Sequence, residues 1–283
     1  MATATTRQEG LDKFYTVPSV AKECIQTVGA RYPWSSWDLV TEPSAGNGSF
    51  FLQIPTLKKI GIDLVPEHSQ IQKQDFFSFA PPIHGRILVI GNPPFGKVSS
   101  LAIKFFNHAA SFASVIAFII PRTFRRRSVQ NKLDTSFHLV EDSELPLEPC
   151  AFSPPMMAKC CFQIWEKRSE KRVIVDLPLT HRHWTFLPYG PLDTSGQPTP
   201  PPNADFAIRA YGGKCGEIWI LELDSLRPKS WHWIKASIDM NLLVQRFQTL
   251  DYSISQDTAR QNSIGRAELV LLYTEKYGDS LEL

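Results

Sequence analysis

Short apolar runs alternate with helix-like periods from Trp37 to about Lys167, the rhythm of a mostly parallel sheet with crossover helices. Strands are expected near Asp38 to Thr41, Lys59 to Asp63, Ile87 to Ile90, Val115 to Ile120, Phe137 to Val140 and Lys159 to Trp165. Between Ser99 and Phe112, Leu101, Phe105, Ala109 and Phe112 recur at three- and four-residue spacings, which predicts a helix packed on that sheet with its aromatics in the core. From Pro188 to Pro202 the chain reads PYGPLDTSGQPTPPP, rich in turn formers and without an apolar period. A linker is expected there, dividing a domain over 1–187 from a smaller α+β domain over 203–283. The latter holds strand-like pieces (Gly216 to Leu223, Trp231 to Ala236) and an amphipathic helix, Met240 to Leu250.

At 283 residues and 43% hydrophobic, the chain is long enough for one substantial α/β core and a second unit. A formal charge of +2 is too mild to imply a nucleic-acid partner by itself, so the distribution of charge decides. Five cysteines (Cys24, Cys150, Cys160, Cys161 and Cys215) show no zinc-ligand spacing, and no metal is expected. The opening residues Met1 to Arg7 lack the apolar core of a signal peptide, and the apolar stretch Ala113 to Ile120 is too short to span a bilayer. A soluble, intracellular protein is the expectation.

Chemistry concentrates at two loops. Asn92-Pro93-Pro94-Phe95 follows the apolar run Ile87 to Gly91, at the carboxyl end of an expected buried strand, where ligands bind in open α/β sheets. The Asn oxygen and the first proline's carbonyl can accept both hydrogens of an amino group, and the Phe ring can stack on a flat base; a stiff turn is the plainer alternative. Glu42-Pro43-Ser44-Ala45-Gly46-Asn47-Gly48 ends the first strand with a backbone that a nucleotide-like ligand can lie against, although a lone Gly-x-Gly is also a common tight turn. Phe51 stands where a dinucleotide fingerprint needs its third glycine, which disfavours NAD. Asp63, about twenty residues after Glu42, ends the second strand, where it can accept ribose hydroxyls or simply cap the turn before Pro66. Pro121 is followed by Arg122-Thr123-Phe124-Arg125-Arg126-Arg127, and Arg122, Arg125, Arg126 and Arg127 are read as a phosphate-binding rim, with solvated arginines as the alternative. Phe152 is a positional candidate for the second wall of a base pocket, or a core residue. Trp231, Trp233 and Arg209 could read a target, though tryptophans in a small domain usually form its core.

Asn-Pro-Pro-Phe after a strand, preceded by the acidic-Pro-x-x-Gly-x-Gly loop, resembles the S-adenosylmethionine-dependent N6-adenine methyltransferases. The order of motifs is similar to their gamma arrangement, with the target-recognition domain last. The resemblance covers roughly residues 13–165 and implies a class I methyltransferase (Rossmann-like) fold, mostly parallel with an antiparallel last strand. It implies S-adenosyl-L-methionine as cofactor, with Glu42, Pro43, Ser44, Gly46 and Gly48 forming motif I and the carboxylate placing the methionine end. Phe14-Tyr15-Thr16-Val17-Pro18 is similar to the family's N-terminal Tyr-Thr-Pro segment that closes over that end, with Val17 as a departure. Asp75 and Phe76 resemble the pair that binds the cofactor's adenine. The activity implied is methylation of adenine N6 in DNA, as in restriction-modification systems. RNA as substrate, an inactive nucleic-acid-binding relative and glutamine methylation in protein are the alternatives, the last disfavoured because little chain precedes motif I.

Overall fold

The six expected runs become strands of one seven-stranded sheet, which the short β4 completes: β2 (Leu39–Pro43), β3 (Lys59–Asp63), β4 (Ile71–Lys73), β5 (Ile87–Gly91), β6 (Val115–Pro121), β7 (Phe137–Glu144) and β9 (Cys160–Lys167). Their spatial order is β4-β3-β2-β5-β6-β9-β7, and β9 alone runs against its neighbours. Two short strands, β1 (Tyr15–Thr16) and β8 (Phe152–Ser153), pair separately. The computed structural model describes residues 14–278, which divide into two units between Ile174 and Val175. The amino-terminal residues 1–13, Met1 to Arg7 among them, lie outside that range.

Strand β5 is buried along its whole length, so both faces must be covered, and its side chains alternate as strand geometry dictates. Leu88 and Ile90 meet the helix α1 (Pro18–Arg31) through Ala21, Ile25 and Val28. Ile87 and Val89 meet α2 (Ser100–Ala110) through Ala102, Phe105, Phe106 and Ala109, the face foreseen from its spacing. Each such aliphatic side chain taken out of water contributes about 1.5–3 kcal/mol, which anchors this central strand between the two helices. The chain leaves β2 toward β3 and β4 on one side, and β5 leads to β6 on the other. The order therefore reverses between β2 and β5, and a crevice opens beyond their carboxyl ends. A short helix, α3 (Arg127–Gln130), follows β6.

The second unit is a four-stranded antiparallel sheet of β10 (Trp184–Phe186), β11 (Phe206–Arg209), β12 (Ile218–Trp219) and β13 (Trp231–Ala236), in the order β10-β13-β11-β12. Helices α4 (Met240–Gln248) and α5 (Arg266–Tyr277) pack on it, burying Leu243, Phe247, Leu269 and Tyr273 against Trp184, Phe206 and Ile234. The expected boundary at 187 is thus placed too late: Trp184–Phe186 is a strand of the second sheet, paired with β13. Nor is 188–202 a linker between units. It lies inside the second unit and closes on itself, with Leu192 bridging Pro198 and the Asp193 carboxylate accepting from the amides of Ser195 and Gln197. Trp231 and Trp233 are core residues, and Arg209 pairs with Glu217 at 3.1 Å, so these three are not free to read a target. Among the described residues no helix is long and apolar enough to cross a membrane, and no group of three His, Cys, Asp or Glu could hold a metal ion.

Candidate active site

The crevice at the reversal point is built by three separate stretches of chain. Beyond β2, Ser44 adopts a positive φ of 85°, and Ser44 and Ala45 turn their amides back to the Ile62 carbonyl at 2.7 and 2.8 Å. The Gly46 amide donates to Asp63 Oδ2 at 2.8 Å, while Val65 donates to Asp63 Oδ1 at 2.8 Å. Asp63 thus fixes the glycine loop to the end of β3, a role its spacing alone did not reveal. Gly46 itself sits at φ +49° beneath the Tyr15 ring, where a Cβ would come within 2.7 Å of that ring. A side chain there would displace Tyr15 as well as strain the loop.

Ser44 Oγ donates to the Asn92 carbonyl at 3.2 Å, which joins the glycine loop to the Asn92–Phe95 loop beyond β5. Asn92 Nδ2 donates to the Phe14 carbonyl at 3.3 Å. Since that carbonyl can only accept, the amide is oriented, and Asn92 Oδ1 is left as an acceptor. Neither Asn92 Oδ1 nor the Pro93 carbonyl takes a hydrogen bond from any described residue. The third stretch is β1. Tyr15 and Thr16 pair with Ser153 and Phe152, and the Tyr15 hydroxyl donates to Glu67, whose own amide bonds the Gly46 carbonyl at 3.0 Å. Burial first, then the nearby Glu67 carboxylate, raise the Tyr15 phenol well above its usual value, so it stays a proton donor at ordinary pH.

Tyr15, Thr16, Glu42, Ser44 and Asn92 line one cleft together with Phe14, Asn47 and Phe50. Two of its polar atoms are buried without a partner: Thr16 Oγ1 and Glu42 Oε2, on residues each 3% exposed. Buried polar atoms are nearly always satisfied, so two orphans in one cleft mark a place for a polar ligand. Burial pushes the Glu42 carboxyl well above the ordinary carboxylate range, against a weaker opposing hydrogen bond from the Phe51 backbone. An ammonium group of a ligand would satisfy it.

Several expected site residues are placed elsewhere. Phe76 is 3% exposed and stacks on Phe105 at 5.1 Å, so it belongs to the core beneath α2 and offers no face to an adenine ring. Asp75 is exposed and caps the following turn by accepting from the Phe77 amide at 3.0 Å. Phe152 is also 3% exposed, edge-on to Phe95 with ring centres 6.5 Å apart; it supports Phe95 rather than forming a second wall. Pro43 ends β2 in the interior, and Gly48, at φ +87°, closes the loop with its amide on the Ala45 carbonyl.

The arginine rim is corrected in part. Arg122 pairs with Glu144 at 2.6 Å, and Arg125 grips Asp142 at 2.5 Å and Glu144 at 2.9 Å, which raises its own basicity. Arg127 is exposed and leans on Gln130 at 3.4 Å, and Arg126 is half-buried. The acids of β7 carry no sequence signal that they turn back onto this loop, and they neutralise Arg122 and Arg125 of the four expected arginines. Arg125→Ala is therefore expected to lower stability by about 1.5–3 kcal/mol through the lost charge-assisted bonds, visible as a lower urea midpoint. An unchanged midpoint would show the pair to be idle.

Glu67 was not foreseen, and neither was the contact of the Phe14 carbonyl with Asn92. Glu67 is one acid in a polar loop, and a backbone carbonyl such as that of Phe14 has no sequence signature at all.

A doubly wound, mostly parallel seven-stranded sheet in this strand order with an antiparallel last strand is the class I methyltransferase fold. No protein-family model and no curated protein matches the chain. Among solved structures, the 23S rRNA methyltransferase ErmE aligns at 16% identity over 56% of this chain and 71% of its own, with a TM-score of 0.42. Magnesium protoporphyrin IX methyltransferase from Synechocystis aligns at 10% over 53% and 79%, with a TM-score of 0.41. A modification subunit assigned to a type I restriction enzyme from Vibrio vulnificus aligns at 12% over 90% and 59%, with a TM-score of 0.40. At TM-scores below 0.5 these resemblances lend no residue a role.

Proposed function

We propose that the chain transfers a methyl group from S-adenosyl-L-methionine to the N6 amino group of adenine in DNA. The observation that carries this reading is the cleft itself, which gathers the glycine loop, the Tyr15–Thr16 strand and an oriented Asn92 with a free acceptor. The cofactor, when bound, supplies a methyl on a sulfonium, already a good electrophile. Glu42 and Thr16 would hold its amino-acid end, since both present unsatisfied polar atoms there. The Asp63 oxygens, each bonded once to a backbone amide, keep a second lone pair for ribose hydroxyls.

Adenine's amino nitrogen is a poor nucleophile because its lone pair is delocalised into the ring. Asn92 Oδ1 and the Pro93 carbonyl would accept its two hydrogens, turning the lone pair toward the methyl and stabilising the positive charge that grows on nitrogen. Ser44, through the Asn92 carbonyl, and Phe14, through its amide, hold that acceptor in place before the base arrives. Phe95 would stack on the base, braced from behind by Phe152.

Charge favours the first unit as the phosphate-binding part. Residues 1–174 carry 20 of the 30 Lys and Arg but 15 of the 28 Asp and Glu, so they are net positive and the remainder net negative. The second unit, proposed as the target-recognition domain, would then act by contacts other than phosphate neutralisation. Transfer of labelled methyl from the cofactor to DNA, RNA and protein tests the reading. Label in DNA is expected; label confined to RNA or to protein would overturn it.

A further inference from the structure

Immediately after the tetrapeptide the chain makes an unusual tip. Gly96, Val98 and Ser99 all have positive φ, at 68°, 53° and 59°. Left-handed backbone is uncommon for any residue with a side chain, and for a β-branched one it is a true outlier that must be held by its surroundings. The holding groups are evident. The Phe95 carbonyl accepts from the amides of Leu101 and Ala102, and Ser99, itself buried, bonds Thr123 through the two hydroxyls at 2.9 Å. Between these anchors Val98 is pushed into solvent, 83% exposed, with exposed Lys97 beside it. Other aliphatics are as exposed, Leu57 and Val173 among them, but neither combines that exposure with a left-handed backbone and a position three residues from the tetrapeptide.

We propose that Val98 is a wedge that enters the base stack of duplex DNA as the target adenine leaves it, with Lys97 meeting the adjoining phosphate. The inference rests on the function proposed above and names the form of its substrate: base-paired rather than single-stranded. A base must leave its stack to reach a cleft of this kind, at a cost of a few kcal/mol, and proteins offset part of that cost by inserting apolar side chains between base steps. A strained, anchored, apolar tip costs nothing further to order when the duplex arrives. Its rigidity is thus of use only against a stacked substrate, because an unpaired strand has little stacking to replace.

The test uses the full chain with unmethylated genomic DNA, either as duplex or heat-denatured to single strands, and compares wild type with Val98→Asn and Val98→Ala. Asparagine tolerates the left-handed conformation, so Val98→Asn should fold with an unchanged or higher melting temperature. The expected result is a fall of about tenfold in methyl transfer to duplex for both variants, with transfer to single strands within about twofold of wild type. Equal loss on both forms, or no loss on duplex, overturns the wedge while leaving the proposed activity standing. A wild-type protein that labels neither form overturns the activity and the wedge together.

Discussion

Asn92→Ala is expected to lower turnover on DNA by on the order of a hundred- to a thousand-fold, the usual cost of removing one preorganised partner of a developing charge, about 2.7–4 kcal/mol. Cofactor affinity should stay within about threefold, because the Tyr15–Thr16 strand and the glycine loop keep their own bonds to Ser153, Phe152, Ile62 and Asp63. Single-turnover rate and cofactor titration, measured on the same variant, separate the two effects. A variant that lost cofactor binding but kept its single-turnover rate would place Asn92 in the wrong role.

Glu42→Gln should weaken S-adenosylmethionine by roughly 10- to 100-fold, the equivalent of about 1.5–3 kcal/mol for a charge-assisted hydrogen bond. It should also change the pH dependence. Burial raises the Glu42 carboxyl well above the ordinary range, so without ligand it holds its proton into higher pH. A cationic ligand group would favour the carboxylate, so binding releases a proton and affinity rises with pH until Glu42 is ionised in the free protein too. Stability runs the opposite way: a raised folded value contributes stability below the unfolded carboxylate range, and that contribution is lost as pH rises through the folded value. Glu42→Gln should abolish both slopes. Calorimetry in two buffers of different ionisation enthalpy reads the released proton directly; identical proton release in the variant would remove Glu42 from the site.

Much of the first unit was legible because its strands are buried on both faces and so appear as unbroken apolar runs, as in Ile87 to Gly91 and Val115 to Pro121. Its glycine loop and tetrapeptide were legible because proline and glycine constrain backbone visibly. What escaped was whatever depends on tertiary contact. Asp75 and Phe76 match a motif in sequence, yet the aromatic cluster of Phe105, His108 and Phe112 draws Phe76 inward. The arginines after β6 look free until β7 brings Asp142 and Glu144 against them. The Pro-rich stretch at 188–202 looks like a linker because a hairpin closed by Asp193 has no apolar period to announce it. A strand as short as β10 carries too few residues for alternation to show, and of the piece expected over Gly216 to Leu223 only Ile218–Trp219 is strand.

Digestion of DNA to nucleosides after reaction with the full chain and methyl-labelled S-adenosylmethionine tests the central claim most directly. Label recovered as N6-methyladenine, and lost in Asn92→Ala, is the predicted result. Label recovered on cytosine, or no label in DNA while RNA or protein is methylated, would contradict it.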